Sequence, residues 1–280
     1  MIRHAIKLVA VDIDGTLLDR DHIVGPSARL AKKICDARGV VFTVATGRVS
    51  TSAEVVAREL GITAPFIANG GAAIKMPQGP YLRVLSIPGE AARRAVAAGR
   101  RYSVERYAFT GERYVTETPC PETLPYSRGL SIPIEPVPDL VAATSGGAIC
   151  LVLRASILEP GYEQVVDRLK AELEAASAGE FRVEKSLPHL LEVLHRDASK
   201  GGALRTLCRI LDIPVEDSLA IGDGFGDIDM IDAAGTGVLV ANAHPSLTGG
   251  SRKRTQASYS DGVLEAVRAY VIGDAGSIVR

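Results

Sequence analysis

Apolar residues follow two rhythms along this chain, and the order in which the rhythms alternate already limits the fold. Short, nearly unbroken apolar runs at residues 6–11, 40–45 and 65–68 read as strands buried on both faces. Between them the period becomes helical. Gly25-Pro26 opens a helix with Pro at its first position, Leu30, Ile34 and Ala37 on one face, and Gly39 as its stop. Thr51 with Glu54 three residues later predicts a capping box for a second helix, ending at Gly61. Repeated strand, helix, strand is the pattern of βαβ units that build a parallel sheet.

The rhythm changes between about Leu85 and Leu191. Prolines and short β-like runs such as Tyr114–Thr116 and 149–153 surround two helical stretches, the longer at 160–176 with Val166, Leu169 and Leu173 inward. After Glu192 the alternation returns. It predicts a helix carrying Leu204, Leu207 and Leu211, a strand at 218–221, a helix from Gly226, a strand at 237–240 and a last helix over 263–271. The predicted fold class is therefore α/β: a Rossmann-like, doubly wound parallel-sheet core made of residues 1–84 and 192–280, interrupted by an inserted α/β domain at 85–191.

With 280 residues, 46% of them hydrophobic and 23% charged, the chain has the composition of an ordered globular protein. Lys and Arg (32) against Asp and Glu (33) leave a formal charge of -1. No net field draws the chain to nucleic acid or to an anionic membrane, so a partner has to be recognised at a local site. The apolar stretch after residue 5 is too short for a membrane span and has no cleavage pattern. Cys35, Cys120, Cys150 and Cys208 lie far apart with no C-x-x-C, which disfavours a disulfide framework or zinc cluster and fits a reducing cytoplasm. The histidines show no metal-binding spacing, and Arg252-Lys253-Arg254 reads as a solvated turn. Oligomeric state is left open.

Chemistry is written in four places. Asp12-Ile13-Asp14-Gly15-Thr16 follows the first strand directly, and carboxylates at that end of an open α/β sheet sit where ligands bind. One Asp of such a pair can attack phosphorus while the other shuttles the leaving group's proton. Thr46-Gly47-Arg48, at the next strand end, offers a hydroxyl and an unobstructed N–H to phosphate oxygens. Lys200, in Ser199-Lys200-Gly201, opens a helix, where its charge opposes the macrodipole unless an anion is near. Asp223 and Asp227, after the strand at 218–221, can complete an all-oxygen Mg²⁺ site. A dinucleotide fingerprint starting at Gly222 fails, because Asp227 stands where its last Gly belongs.

In this order the four pieces resemble the haloacid dehalogenase-like (HAD) superfamily of phosphotransferases over nearly the whole chain. The insert, together with Ala68-Asn69-Gly70, Asn242-Ala243 and Asp261-Gly262-Val263, is similar to the Cof-type branch (type II, subclass B), whose cap is an α/β domain. The resemblance implies Asp12 as nucleophile, Asp14 as general acid/base, and Thr46 and Lys200 holding the phosphoryl group. Gly47, Arg48 and Asn69 join them as substrate-binding positions. It further implies Mg²⁺ held by Asp12, the Asp14 backbone carbonyl and Asp223, with Asp227 beside them. The implied activity is a Mg²⁺-dependent phosphatase of small phosphorylated metabolites, sugar phosphates foremost. A phosphomutase or phosphotransferase, and a phospho-ligand-binding regulator without turnover, stand as alternatives. One position departs from the branch: Gly226 occupies the place usually taken by Asn before the second Asp of the last motif.

Overall fold

The first apolar run forms the strand Leu8–Val11, buried along its whole length, and lies inside a sheet because it has apolar side chains to give to both faces. The computed structural model describes residues 5–19, 22–111, 113–118, 133–247, 252–274 and 278–279. Among these, the sheet has six strands in the order Ile278–Val279, Lys253–Thr255, Thr236–Leu239, Ser218–Gly222, Leu8–Val11, Val41–Val44. All neighbours pair in parallel except Ile278–Val279, which is antiparallel. A parallel bridge from Ala45 to Ile67 leads on to Phe66–Ala68, which also pairs with Ala73–Lys75 in a small three-stranded sheet completed by Tyr81–Val84.

Alternate residues of these strands feed two cores. Val9, Val11, Phe42, Val44, Leu219 and Ile221 pack on one side with residues of the helices Pro26–Ala37, Ser50–Glu59 and Tyr259–Val267. Leu8, Ala10 and Ala220 pack on the other with Leu204, Leu207 and Cys208 of the helix Lys200–Ile210 and with Met230. Helices on both faces of a parallel sheet make the doubly wound α/β architecture. Strand order reverses between Leu8–Val11 and Ser218–Gly222, which are paired from Leu8 opposite Ser218 to Val11 opposite Ile221. The residues following these two strands are therefore neighbours at the switch point, where open α/β sheets bind ligands.

The chain divides into two units, Met1–Arg83 with Ser199–Arg280, and Val84–Ala198. The second has its own six-stranded sheet, ordered Phe181–Leu187, Leu190–His195, Cys150–Ala155, Val104–Phe109, Tyr114–Thr116, Ile134–Pro136. Helices Gly89–Gly99 and Tyr162–Ala176 cover it with Ala91, Ala95, Val166, Leu169 and Leu173. The expected return to the core at residue 192 comes too early. Leu190–His195 pairs with strands of the second sheet on both sides, so the first unit resumes only at Ser199.

Three local expectations also change. Leu30 is exposed, and the first helix instead buries Ala28, Ala31 and Cys35, small side chains that let it lie close to Tyr259–Val267. The Thr51/Glu54 capping box does not form: Val49 is the N-cap, Thr51 Oγ1 is buried without a partner, and Glu54 bonds to Lys75 Nζ at 2.6 Å. Arg252-Lys253-Arg254 leads into a strand of the six-stranded sheet rather than a turn, with Arg252 paired to Asp232. Cys35, Cys150 and Cys208 are buried, and Cys120 lies outside the described residues. No helix among the described residues is long and apolar enough to cross a membrane.

Candidate active site

Asp12 leaves the end of Leu8–Val11 with its N–H donated to Ile221 O at 2.9 Å, which ties it to the neighbouring strand just before Asp223. The turn that follows depends on Gly15, whose φ is +82° and whose missing side chain matters: a Cβ there would stand 2.4 Å from Asp223 Oδ2. Asn242 Nδ2 donates to Gly15 O at 2.7 Å, and Asn242 Oδ1 accepts from Tyr259 N–H at 2.8 Å. Thr16 closes the turn from the inside, its hydroxyl donating to Asp223 Oδ1 at 2.7 Å.

Around Asp12 the charges are close and dry. Lys200, the first residue of its helix, places Nζ 2.6 Å from Asp12 Oδ1 and 2.6 Å from Asp227 Oδ1. The helix start is held by Ser199 Oγ, accepting from Gly202 N–H at 3.0 Å, and by Asp229 Oδ2, accepting from Gly201 N–H at 2.8 Å. Asp227 uses its other oxygen to accept the N–H groups of Asp223 (3.1 Å) and Gly224 (2.9 Å). Carboxylate oxygens of Asp12, Asp223 and Asp227 lie within 4.8 Å of one another, the one such group of acidic, His or Cys side chains among the described residues.

Burial, reinforced by the like charge of Asp227, pushes the Asp12 carboxyl well above its ordinary value despite the opposing pull of Lys200. Burial likewise raises Asp223 to about 6, although Thr16 donates to it. Burial alone would lower the Lys200 ammonium, but the charges of Asp12 and Asp227 outweigh it and the group stays above the usual lysine value. Three crowded carboxylates with one ammonium are short of positive charge. Hard oxygen donors at this mutual distance fit a Mg²⁺-type cation, and among the described residues no sulfur or imidazole ligand joins the group.

The second strand end supplies a loop rather than a charge. Thr46 is buried, with N–H to Ile67 O at 3.0 Å, and its Oγ1 accepts from Arg48 N–H at 3.1 Å, which leaves the hydroxyl able to donate. Gly70 N–H donates to Thr46 O (3.1 Å) and Asn69 N–H to Arg48 O (2.8 Å), so Asn69-Gly70 holds the loop from behind. Asn69 Oδ1 accepts from Ser50 N–H at 3.2 Å. A Cβ added at Gly47 would meet nothing within 4 Å, so the approach to that backbone is open.

The structure thus gathers Asp12, Lys200, Asp223 and Asp227 into one cluster. The Asp14 carboxylate is not part of it; that side chain turns to Arg48, with Nε to Oδ2 at 2.6 Å and Nη2 to Oδ1 at 2.5 Å, and has His22 Nδ1 3.3 Å away. Asn69 and Arg48, expected at the substrate, are engaged with protein groups. Sequence reasoning missed the parts played by Thr16, Asn242 and Asp229. The first two stand in stretches the sequence singled out, Asp12 to Thr16 and Asn242-Ala243, whereas Asp229 had no signal.

A family model described as haloacid dehalogenase-like hydrolase matches residues 9–267. Among curated proteins, the chain is 28% identical over 243 residues to the HMP-PP phosphatase of Serratia proteamaculans (strain 568), covering 86% of each chain. Its fold is similar to that of a haloacid dehalogenase-like hydrolase from Bacteroides thetaiotaomicron (TM-score 0.83, 22% identity, 94% of this chain and 98% of the other). It is also similar to a sugar phosphatase of HAD subclass IIB (TM-score 0.78, 20% identity, 95% and 99%).

Proposed function

The chain belongs to the haloacid dehalogenase-like hydrolases, and from that premise we propose that it is a phosphatase hydrolysing small phosphorylated metabolites, sugar phosphates among them, through a covalent intermediate on Asp12. The observation that carries this reading is the position of Asp12: a buried carboxylate at the switch point of the sheet, gripped by Lys200 and facing two further carboxylates. A relative named HMP-PP phosphatase and a subclass IIB sugar phosphatase of the same fold support the reaction class.

In the first displacement an oxygen of Asp12 forms a bond to phosphorus as the bond to the leaving oxygen breaks, and Asp14 gives that oxygen a proton. In the second, Asp14 takes a proton from the water that attacks the aspartyl-phosphate, and inorganic phosphate leaves. Lys200 and the Thr46 hydroxyl, with the Gly47 N–H, hold the phosphoryl oxygens and oppose the charge gathering on them. Mg²⁺, held by Asp12 and Asp223 with Asp227 and the Asp14 backbone carbonyl in support, would supply further positive charge to the same oxygens. Fixing these groups before substrate arrives is the protein's contribution, since a carboxylate is a weak nucleophile unless aligned. The buried Cys35 and Cys208 thiols fit a cytoplasmic setting.

Release of phosphate from 4-nitrophenyl phosphate and a panel of sugar phosphates and organic diphosphates, with Mg²⁺, tests the proposal. Asp12→Asn, nearly isosteric, is expected to abolish turnover while leaving circular dichroism unchanged. Phosphate release within an order of magnitude of wild type would overturn the assignment of Asp12.

A further inference from the structure

Arg48 was expected to touch substrate, yet its guanidinium is committed elsewhere. Nε and Nη2 meet the two oxygens of Asp14 at 2.6 and 2.5 Å, a planar fork on a planar acceptor. Such a grip fixes the rotation of the carboxylate as well as its place. Arg48 itself is well anchored: its N–H donates to Thr46 Oγ1, its carbonyl accepts from Asn69 N–H at 2.8 Å, and its side chain is 17% exposed against 42% for Asp14. The more exposed partner of the pair is therefore oriented by the more buried one. Asp14 stands outside the Asp12, Asp223, Asp227 cluster, and no contact to that cluster orients its carboxylate among the bonds described above.

We propose that Arg48 is the positioning residue of Asp14: it acts on the leaving group only through that carboxylate, and phosphoryl recognition falls to Lys200, Thr46 and Gly47. The inference rests on the phosphatase reading given above. When Asp14 passes its proton to the departing oxygen, as the bond from Asp12 to phosphorus forms and the ester bond breaks, negative charge is left on the carboxylate against the guanidinium. A lysine at this position would supply the charge but only as a point, without the two-atom grip.

A comparison of leaving groups isolates this role, because kcat/KM reports the steps up to the phosphorylated enzyme. 4-Nitrophenolate departs with little need of a proton, whereas the alkoxide of 2-glycerophosphate needs one. In Arg48→Ala, kcat/KM on 2-glycerophosphate is expected to fall at least roughly tenfold further than on 4-nitrophenyl phosphate, within the range of lost general-acid help. KM should change little, and Arg48→Lys should recover only part of the loss. Thermal melting of each variant checks the fold. Equal losses on the two esters, a loss confined to KM, or no loss would overturn the proposal. Asp14→Asn serves as the reference. If it shows the leaving-group split and Arg48→Ala does not, the Arg48 inference alone fails; if Asp14→Asn shows no split, the proton-donor reading beneath it fails as well.

Discussion

Lys200→Met isolates the electrostatic problem at the centre of this site. The substitution keeps most of the aliphatic stem and removes one ammonium that sits 2.6 Å from two buried carboxylates, with the Lys200 side chain 9% exposed and those of Asp12 and Asp227 8% and 3%. Water cannot replace the lost partner without opening the core, so screening gives little relief. Removing one member of a buried ion pair typically costs about 3–5 kcal/mol, mostly from the charge left behind. The sign of the pH dependence follows from the same geometry. Asp12 is already raised by burial and Asp227, and without Lys200 its carboxyl rises further above its unfolded value. The folded variant then binds protons that the unfolded chain has released, so its stability falls as pH rises from about 4, the ordinary carboxylate range, toward neutrality. Urea unfolding of wild type and variant between pH 4.5 and 8, in the presence of a chelator, reads this directly. The deficit should be largest at pH 8, shrink toward pH 4.5, and lie in the unfolding step of the first unit. A deficit of the same size at every pH would refute the reasoning and make Lys200 a packing residue.

Other substitutions probe the remaining contacts. Asp223→Ala should raise the Mg²⁺ concentration for half-maximal activity at least roughly tenfold, and in wild type that concentration should climb as pH falls below about 6, where Asp223 takes up its proton; a flat metal titration in both experiments would make Asp223 a turn residue. Gly15→Ala forces a Cβ to within 2.4 Å of Asp223 Oδ2 at a φ of +82°, so activity should fall sharply, with a loss of stability of about 1–2 kcal/mol from the backbone conformation alone; a variant that melts and turns over like wild type would show that the turn can re-form without glycine.

Much of the site can be read from the chain because each part is local. Asp12 follows a strand apolar on both faces, Thr46 and Asp223 follow two more, and Lys200 opens a helix whose period carries Leu204 and Leu207 inward. A period of two or 3.6 residues is a property of neighbours in sequence, and it sufficed for the α/β class, for the helix with Val166, Leu169 and Leu173 buried, and for placing Asp12 and Asp223 after strands. Apolar strands, however, carry no label for their partner. The boundary expected at residue 192 falls inside Leu190–His195, and that strand's membership in the second sheet is settled by pairing with Phe181–Leu187 and Cys150–Ala155. The face of the first helix is chosen in the same way, by the close approach of Tyr259–Val267, which favours Ala28 and Ala31 over Leu30. At the site, Thr16 meets Asp223 across 207 positions, Lys200 meets Asp12 across 188, and Arg48 meets Asp14 across 34. Those meetings follow from strand order and register at the switch point, and it is they that turn a list of acids and bases into a crowded cluster short of positive charge and an oriented acid beside it.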